Sequence, residues 1–201
     1  MAKRLTNLNQ QPSCRGSNEP LVSVIIPVYN YEVYVTLAIQ SVIAQNYGNI
    51  EIIVVDDGST DGTSEAVRSF GVSARYFLIE NGGLASARNF GIGQSQGEFI
   101  IFLDADDELE PDAVGIMVDC MHELSPCYAL IACRFTKINE RGEVIGVQGN
   151  VPPDDADITC RQLTIRNRFP VTALLRRDAV IHCGMFDPEF GTLLGSEDRD
   201  M

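Results

Sequence analysis

Four short runs, VSVIIPV, EIIVVD, ARYFLIE and EFIIFL, are spread over residues 22–103, and none of them alternates apolar with polar side chains. A strand with one face in water alternates, whereas one buried on both faces stays apolar throughout. Between the runs the period changes. Val35, Ala38, Ile39, Val42 and Ile43 recur at helical spacing and predict an amphipathic helix to about Gln45. A second helix is expected from Ser64 to Phe70. NGGLASARNFGIGQSQG reads as a Gly-rich loop entering a helix weakened by Gly91 and Gly93. Pro111, in the favoured first-turn position, opens a fourth helix to about Leu124. Four strand–helix alternations of this kind specify an α/β chain, a mostly parallel sheet flanked by helices on both faces.

After residue 125 the pattern loosens. ALIACRFTKINERGEVIGVQ predicts two strands joined by a turn at Arg141-Gly142, with a looser segment from Val151. FPVTALLRRDAV predicts one more strand and a short helix. The 201 residues suit one domain with a single sizeable core. Residues 1–20, rich in Asn, Gln, Ser and Pro, are expected to be a disordered arm and lack the apolar core of a secretory signal.

Charge narrows the partners. The formal net charge is −13, from 28 acids and 15 bases, which argues against nucleic acid and against an anionic membrane surface. No run reaches the 18 apolar residues of a membrane span. The six cysteines, Cys14, Cys120, Cys127, Cys133, Cys160 and Cys183, form no CxxC pair and no zinc spacing. Reduced, structural thiols in a reducing compartment are expected.

Ligands of open parallel sheets bind outside the carboxyl ends of the strands, near a topological switch point. The distinctive polar groups sit at those ends: Tyr29 and Asn30, Asp56 and Asp57, Asp104 and Asp106. In FIIFLDADDELEPD, six carboxylates fall within positions 104–112 with no Lys or Arg among them. Crowded like charges disfavour ionisation, so something should gather them. Mg²⁺ and Mn²⁺ use one or two protein carboxylates plus substrate phosphates. Asp104 and Asp106, two apart on an extended strand end, would point the same way. Asp107, Glu108, Glu110 and Asp112 fit the dipole and N-cap of the next helix.

The other motifs leave alternatives open. VVDDGSTDGT is either a turn or a ligand loop, with Asp57 favoured as the ligand and Asp56 as partly structural. Arg88, beside the Gly-rich loop, either meets an anion or forms an internal salt bridge to one of these aspartates. Glu197, Asp198 and Asp200 read as a helix first turn by spacing, although a general base must be a residue of this type. His122 and His182 read as structural or surface residues.

VSVIIPVYN, IIVVDDGSTDGT, NGGLASARNFGI, EFIIFLDADD, CGMFDPEF and GSED resemble, in order and approximate spacing, the motifs of the family 2 inverting glycosyltransferases. The resemblance covers about Leu21 to Met201. It implies the GT-A fold, a Rossmann-like nucleotide-sugar-binding sheet at 21–124 with a smaller mixed acceptor-side region at 125–201. By resemblance, Pro27, Tyr29 and Asp57 would hold the base of the donor, expected to be uracil, with Arg88 nearby. Asp104 would lie near the ribose, and Asp106 would contact a divalent cation, Mn²⁺ or Mg²⁺, bridging the diphosphate. Asp198 would be the catalytic base, with Glu197 beside it on the acceptor side. Asp187 belongs to a motif that shapes the acceptor side.

The resemblance thus implies transfer of a sugar from a nucleotide-sugar to an acceptor hydroxyl, with inversion. In the family the chain continues beyond the ED pair, so a truncated acceptor half with weak or absent activity is expected here. The expected location is the cytoplasm, at the inner membrane face if the acceptor is a lipid-linked glycan. A haloacid-dehalogenase-like phosphatase is disfavoured, because Asp107 and Glu108 follow the DxD and the motif lies on the fourth strand. A dinucleotide oxidoreductase is disfavoured because PVYNYE replaces the GxGxxG loop. The alternative from another class is a non-catalytic nucleotide-sugar-binding module.

Overall fold

The computed structural model describes residues 19–133, 135–139, 143–148 and 172–188. In chain order the elements are β1 (Val22–Val28), α1 (Glu32–Ile43), β2 (Ile50–Asp56), α2 (Thr63–Arg68), a 3₁₀ turn (Gly71–Ser73), β3 (Arg75–Leu78) and α3 (Leu84–Gln94). They continue with β4 (Phe99–Phe102), α4 (Ala113–Glu123), β5 (Leu130–Ala132), β6 (Phe135–Ile138), β7 (Val144–Gln148), β8 (Ala173–Arg176) and α5 (Arg177–His182).

Six strands form one sheet in the order β3-β2-β1-β4-β8-β5. The first four are parallel; β1, β4 and most of β2 are buried as their apolar runs predict, whereas β3, at the sheet edge, is only partly buried. β8 runs antiparallel to both β4 and β5. Side chains of β1 alternate between two apolar layers. Val24 and Ile26 join Val35, Ile39, Val54, Ile101 and Met117 on the α1/α4 face. Ile25 joins Ile53, Val55, Ala87, Ile92 and Ile100 on the α3 face. Each Val, Ile and Met among them, fully buried, contributes about 1.5–3 kcal/mol.

A proline inside a central strand demands an explanation, since it cannot donate to the ladder. Leu103 N–H bonds Ile25 O at 3.0 Å, so residue 25 faces β4 and residue 27, two further on, faces the same side. The β1–β4 pairing ends at Ile25↔Phe102, so Pro27 meets β4 only where the ladder stops. Helix α3 lies close on β1: a Cβ at Gly91 would stand 2.4 Å from Ile25 Cγ2.

Three sequence expectations need correction. The segment from Ala129 to Gln148 holds three strands rather than two. β5 joins the main sheet, while β6 and β7 pair separately as an antiparallel ribbon. Its Arg141-Gly142 turn lies outside the described residues. Helix α4 begins at Ala113, after Pro111, and Asp112 at its N-cap makes no side-chain bond to the helix. Asp112 Oδ1 instead accepts from Asn46 Nδ2 at 2.6 Å, and Gln45 Oε1 caps Val114 N–H at 3.1 Å from the end of α1. A cap supplied by another element leaves no local sequence signature.

Glu19 and Pro20 enter the fold as acceptors for Asn49 Nδ2 (2.7 Å) and the Tyr47 hydroxyl (2.5 Å). Residues 1–18 and the looser segment at 151–171 lie outside the described residues, as do Cys14 and Cys160. Cys120, Cys127, Cys133 and Cys183 are free thiols. Among the described residues, no helix is long and apolar enough to cross a membrane.

Candidate functional site

The sheet order places β1 between β2 and β4, so strand order reverses at β1 and the loops after these strands share one edge. Tyr29, Asn30 and Tyr31 leave β1, and Asn30 takes a left-handed φ of 56°. Asn tolerates that region better than most residues. Its conformation is held from the next loop. Asn30 N–H donates to Ser59 Oγ and Asn30 Oδ1 accepts from Thr60 N–H, both at 2.8 Å.

Asp56 and Asp57 are both buried at the end of β2. The Tyr76 hydroxyl donates to Asp56 at 2.6 Å and Ser59 N–H donates at 2.8 Å, which matches a structural role for Asp56. Asp57 accepts Gly82 N–H on Oδ1 and Gly83 N–H on Oδ2, each at 2.8 Å. It thereby pins the Gly-rich loop at the start of α3. A carboxylate has about four lone-pair sites, so this engagement leaves acceptor capacity on both oxygens. Pro27 is buried within β1, and Tyr29 is half-buried just beyond it.

Of the two alternatives for Arg88, the structure forms the internal salt bridge: Nη2 meets Asp104 Oδ1 at 2.9 Å. The guanidinium carbon lies 5.8 Å from the Phe102 ring centroid and 5.4 Å from that of Phe186. Its Nε is buried with no hydrogen-bond partner among the described residues.

The DxD is not an extended strand end. β4 stops at Phe102, and Asp107 N–H bonds Asp104 O at 3.0 Å, closing a turn through Ala105 and Asp106. The two carboxylates therefore diverge in environment. Asp104 is half-buried against Arg88, while Asp106 is exposed. Desolvation, then the charges of Asp104 and Asp106, push the Asp107 carboxyl up to about 6, although the residue keeps solvent-accessible surface. That repulsion is the crowding visible in the sequence. Burial, then Asp106 and Tyr34, raises the Tyr31 hydroxyl above its ordinary value, so Tyr31 belongs to the same edge.

Among the described residues, no three His, Cys, Asp or Glu side chains are arranged to enclose a metal ion. The donor set still fits a hard cation of one kind. One exposed carboxylate, Asp106, beside a neutralised Asp104 suits an ion that completes its shell from a ligand's phosphates. A closed protein cage does not fit.

Tyr31, Asn89, Phe102 and Phe186 were not among the residues singled out by sequence. Asn89 stood inside the quoted NGGLASARN motif, directly after Arg88, and Tyr31 directly follows the quoted VYN. Asp187 follows Phe186 and is exposed. Glu197, Asp198 and Asp200 lie outside the described residues.

Residues 23–184 match the family model described as glycosyl transferase family 2. An uncharacterized glycosyltransferase of Rickettsia typhi is 42% identical over 127 residues, 63% of this chain and 40% of the relative. Another, from Rickettsia conorii, is 45% identical over 124 residues, 61% of this chain and 20% of the relative. The chain thus spans well under half the length of these relatives. Among solved structures, S. aureus TarS 1-349 in complex with UDP superimposes with a TM-score of 0.69 at 24% identity, over 89% of this chain and 52% of that one. The mannosyltransferase PcManGT of Pyrobaculum calidifontis, in complex with GDP-Man and Mn²⁺, gives 0.61 at 22% identity, over 87% and 50%. These likenesses establish the GT-A fold. With most of its length inside the matched span, the chain belongs to glycosyl transferase family 2.

Proposed function

We propose that this chain binds a nucleotide-sugar, with UDP as the nucleotide, for transfer of the sugar to an acceptor hydroxyl with inversion. The observation that carries the reading is the convergence, in a family 2 chain, of Asp57, the Arg88–Asp104 pair and exposed Asp106 at one switch point. Complexes of TarS with UDP and UDP-GlcNAc support the donor class. The PcManGT complex, with GDP-Man and Mn²⁺, supports a divalent cation.

In this reading residues 21–124 form the donor half and residues 125–201 belong to the acceptor side. Pro27, Tyr29 and Asp57 hold the base, with Asp57 accepting from its imide N–H through a lone pair that Gly82 and Gly83 leave open. Arg88 fixes Asp104 near the ribose. Asp106 holds the cation, which when bound supplies Lewis-acid stabilisation of charge on the diphosphate. Asp198, with Glu197 beside it, takes the proton of the acceptor hydroxyl as that oxygen bonds to the anomeric carbon. The bond from that carbon to the diphosphate oxygen breaks, and its electron pair leaves with the nucleoside diphosphate.

Calorimetric titration of UDP tests the donor site, run with Mn²⁺, with EDTA, and on Asp106→Ala. Binding that needs Mn²⁺ and is lost in the variant is expected. A folded sample that binds no nucleoside diphosphate would remove the reading. Binding that EDTA leaves intact would remove the role of Asp106 and its cation.

A further inference from the structure

Two elements far apart in the chain meet at Asn89. The chain leaves α5 through a Schellman turn, with Met185 N–H on Val180 O and Gly184 N–H on Ile181 O, both at 3.1 Å. Gly184 takes a φ of 90° and Met185 a φ of 63°. The second is unfavourable for a residue with a Cβ and persists only where its surroundings hold it. The hold comes from the next residue. Asn89 Nδ2 donates to Phe186 O at 2.8 Å, and Phe186 N–H donates to Asn89 Oδ1 at 3.0 Å. The carboxamide thus pairs with both backbone polar groups of Phe186, as a residue of a neighbouring strand would.

That pairing fixes a ring. Phe186 meets Phe102 edge-on, with centroids 5.1 Å apart at 88°. The same ring stands 5.4 Å from the Arg88 guanidinium carbon. Arg88 and Asn89 are consecutive on α3. One helical turn therefore supplies both the cation that holds Asp104 and the amide that holds the ring beside that cation.

We infer that Asn89 is a positioning residue of the donor site: by gripping the Phe186 backbone it keeps the Phe186 ring beside the Arg88 guanidinium and so keeps Asp104 in place for the nucleotide-sugar. This rests on the donor-site reading above. Without the grip, the turn at Gly184–Met185 relaxes and Arg88 loses one aromatic neighbour. Arg88 then holds Asp104 less firmly, and the carboxylate shifts from the position the donor needs.

The test is calorimetric titration of UDP with Mn²⁺ into the full chain and into Asn89→Ala and Asn89→Asp, with circular dichroism to establish folding. Asn89→Ala is expected to bind at least tenfold more weakly while remaining folded. Asn89→Asp discriminates positioning from general loosening. As a carboxylate it cannot donate to Phe186 O and sets a negative charge against it. As a neutral acid it has the shape and both bonds of the amide. The charged groups around it are Arg88 and Asp104, with Asp187 next to Phe186 in the chain.

The ratio of wild-type to Asn89→Asp affinity should therefore be large at pH 8 and shrink severalfold by about pH 4.5, as the introduced carboxyl takes up its proton. The site's other carboxylates titrate in both proteins, so the ratio and not the absolute affinity is read. Equal affinity of Asn89→Ala and wild type would overturn the inference. Should Asn89→Ala fail to fold, a ratio for Asn89→Asp that does not change with pH overturns it instead. A wild-type chain that binds no nucleoside diphosphate removes the donor-site reading itself, an outcome visible before either variant is examined.

Discussion

The Arg88 guanidinium stands 2.9 Å from the Asp104 carboxylate, with only 16% and 17% of the two side chains exposed. Deleting one member of a well-buried pair costs about 3–5 kcal/mol, because the survivor is left uncompensated. With residual exposure here, Arg88→Ala and Asp104→Ala should each destabilise the chain by about 2–3 kcal/mol. The double variant should lose less than the sum. Asp106, exposed in the same turn, should change stability by no more than about 0.5 kcal/mol on replacement by alanine. Urea denaturation of the four variants checks this; equal losses for Asp104→Ala and Asp106→Ala would contradict the environments assigned to them.

Asp57 accepts one glycine N–H on each oxygen. Asn in its place presents one acceptor and one donor, so either Gly82 or Gly83 N–H loses its partner. Asp57→Asn should cost about 1.5–3 kcal/mol, the range for a hydrogen bond to a charged group. Amide hydrogen exchange should quicken at Gly82 or Gly83 ahead of the β2 amides. Unchanged exchange at both glycines would count against the pinned loop.

Two glycines of α3 should respond in opposite directions. At Gly91 an added methyl meets Ile25 Cγ2 at 2.4 Å, whereas at Gly93 nothing stands within 4 Å. Gly91→Ala forces helix and strand apart and should destabilise by about 1–3 kcal/mol. Gly93→Ala should stabilise by about 0.4–1 kcal/mol, by restricting the unfolded chain. Thermal melts of the pair are sufficient, and a Gly91→Ala variant no less stable than the parent would show that α3 is not held against β1 as described.

Thiol chemistry should separate the cysteines. Burial, then the charges of Glu123 and Asp119, raises the Cys120 thiol; burial, then Cys120, raises that of Cys133. A raised value means less thiolate at pH 8, so both should alkylate slowly there and gain rate as pH climbs beyond the ordinary thiol range. Cys127 and Cys183 are exposed and should react first. Peptide mass mapping after timed iodoacetamide treatment gives the order. Cys120 or Cys133 labelling ahead of Cys127 would reverse the expectation.

Much of the fold was legible because the decisive signal is local. An unbroken run such as IIVV can be buried on both faces only in a sheet covered on both sides, and the spacing of Val35, Ala38, Ile39 and Val42 allows only a helix with one apolar stripe. Run and stripe are properties of neighbours along the chain. The segment after residue 125 was less legible. There the strands are short, and which sheet each joins depends on partners far away: β5 pairs with β8 across some forty residues, whereas β6 and β7 pair only with each other.

At the site, the sequence by itself determined which residue types stand at the strand ends: Asp57, Asp104 and Asp106 follow their strands in any parallel arrangement. Tertiary structure alone decided what each one meets. Arg88 took the internal salt bridge rather than an open position because α3 packs across β1 and β2, which sets its guanidinium beside Phe102, Phe186 and Asp104. Asp107 N–H folded back on Asp104 O, so the two members of the DxD face different surroundings. Asn89 and Phe186 meet across 97 positions. Periodicity and spacing report which faces of neighbouring residues coincide. Contacts between distant residues arise only when the sheet order sets strands and helices side by side, and no local pattern encodes that order.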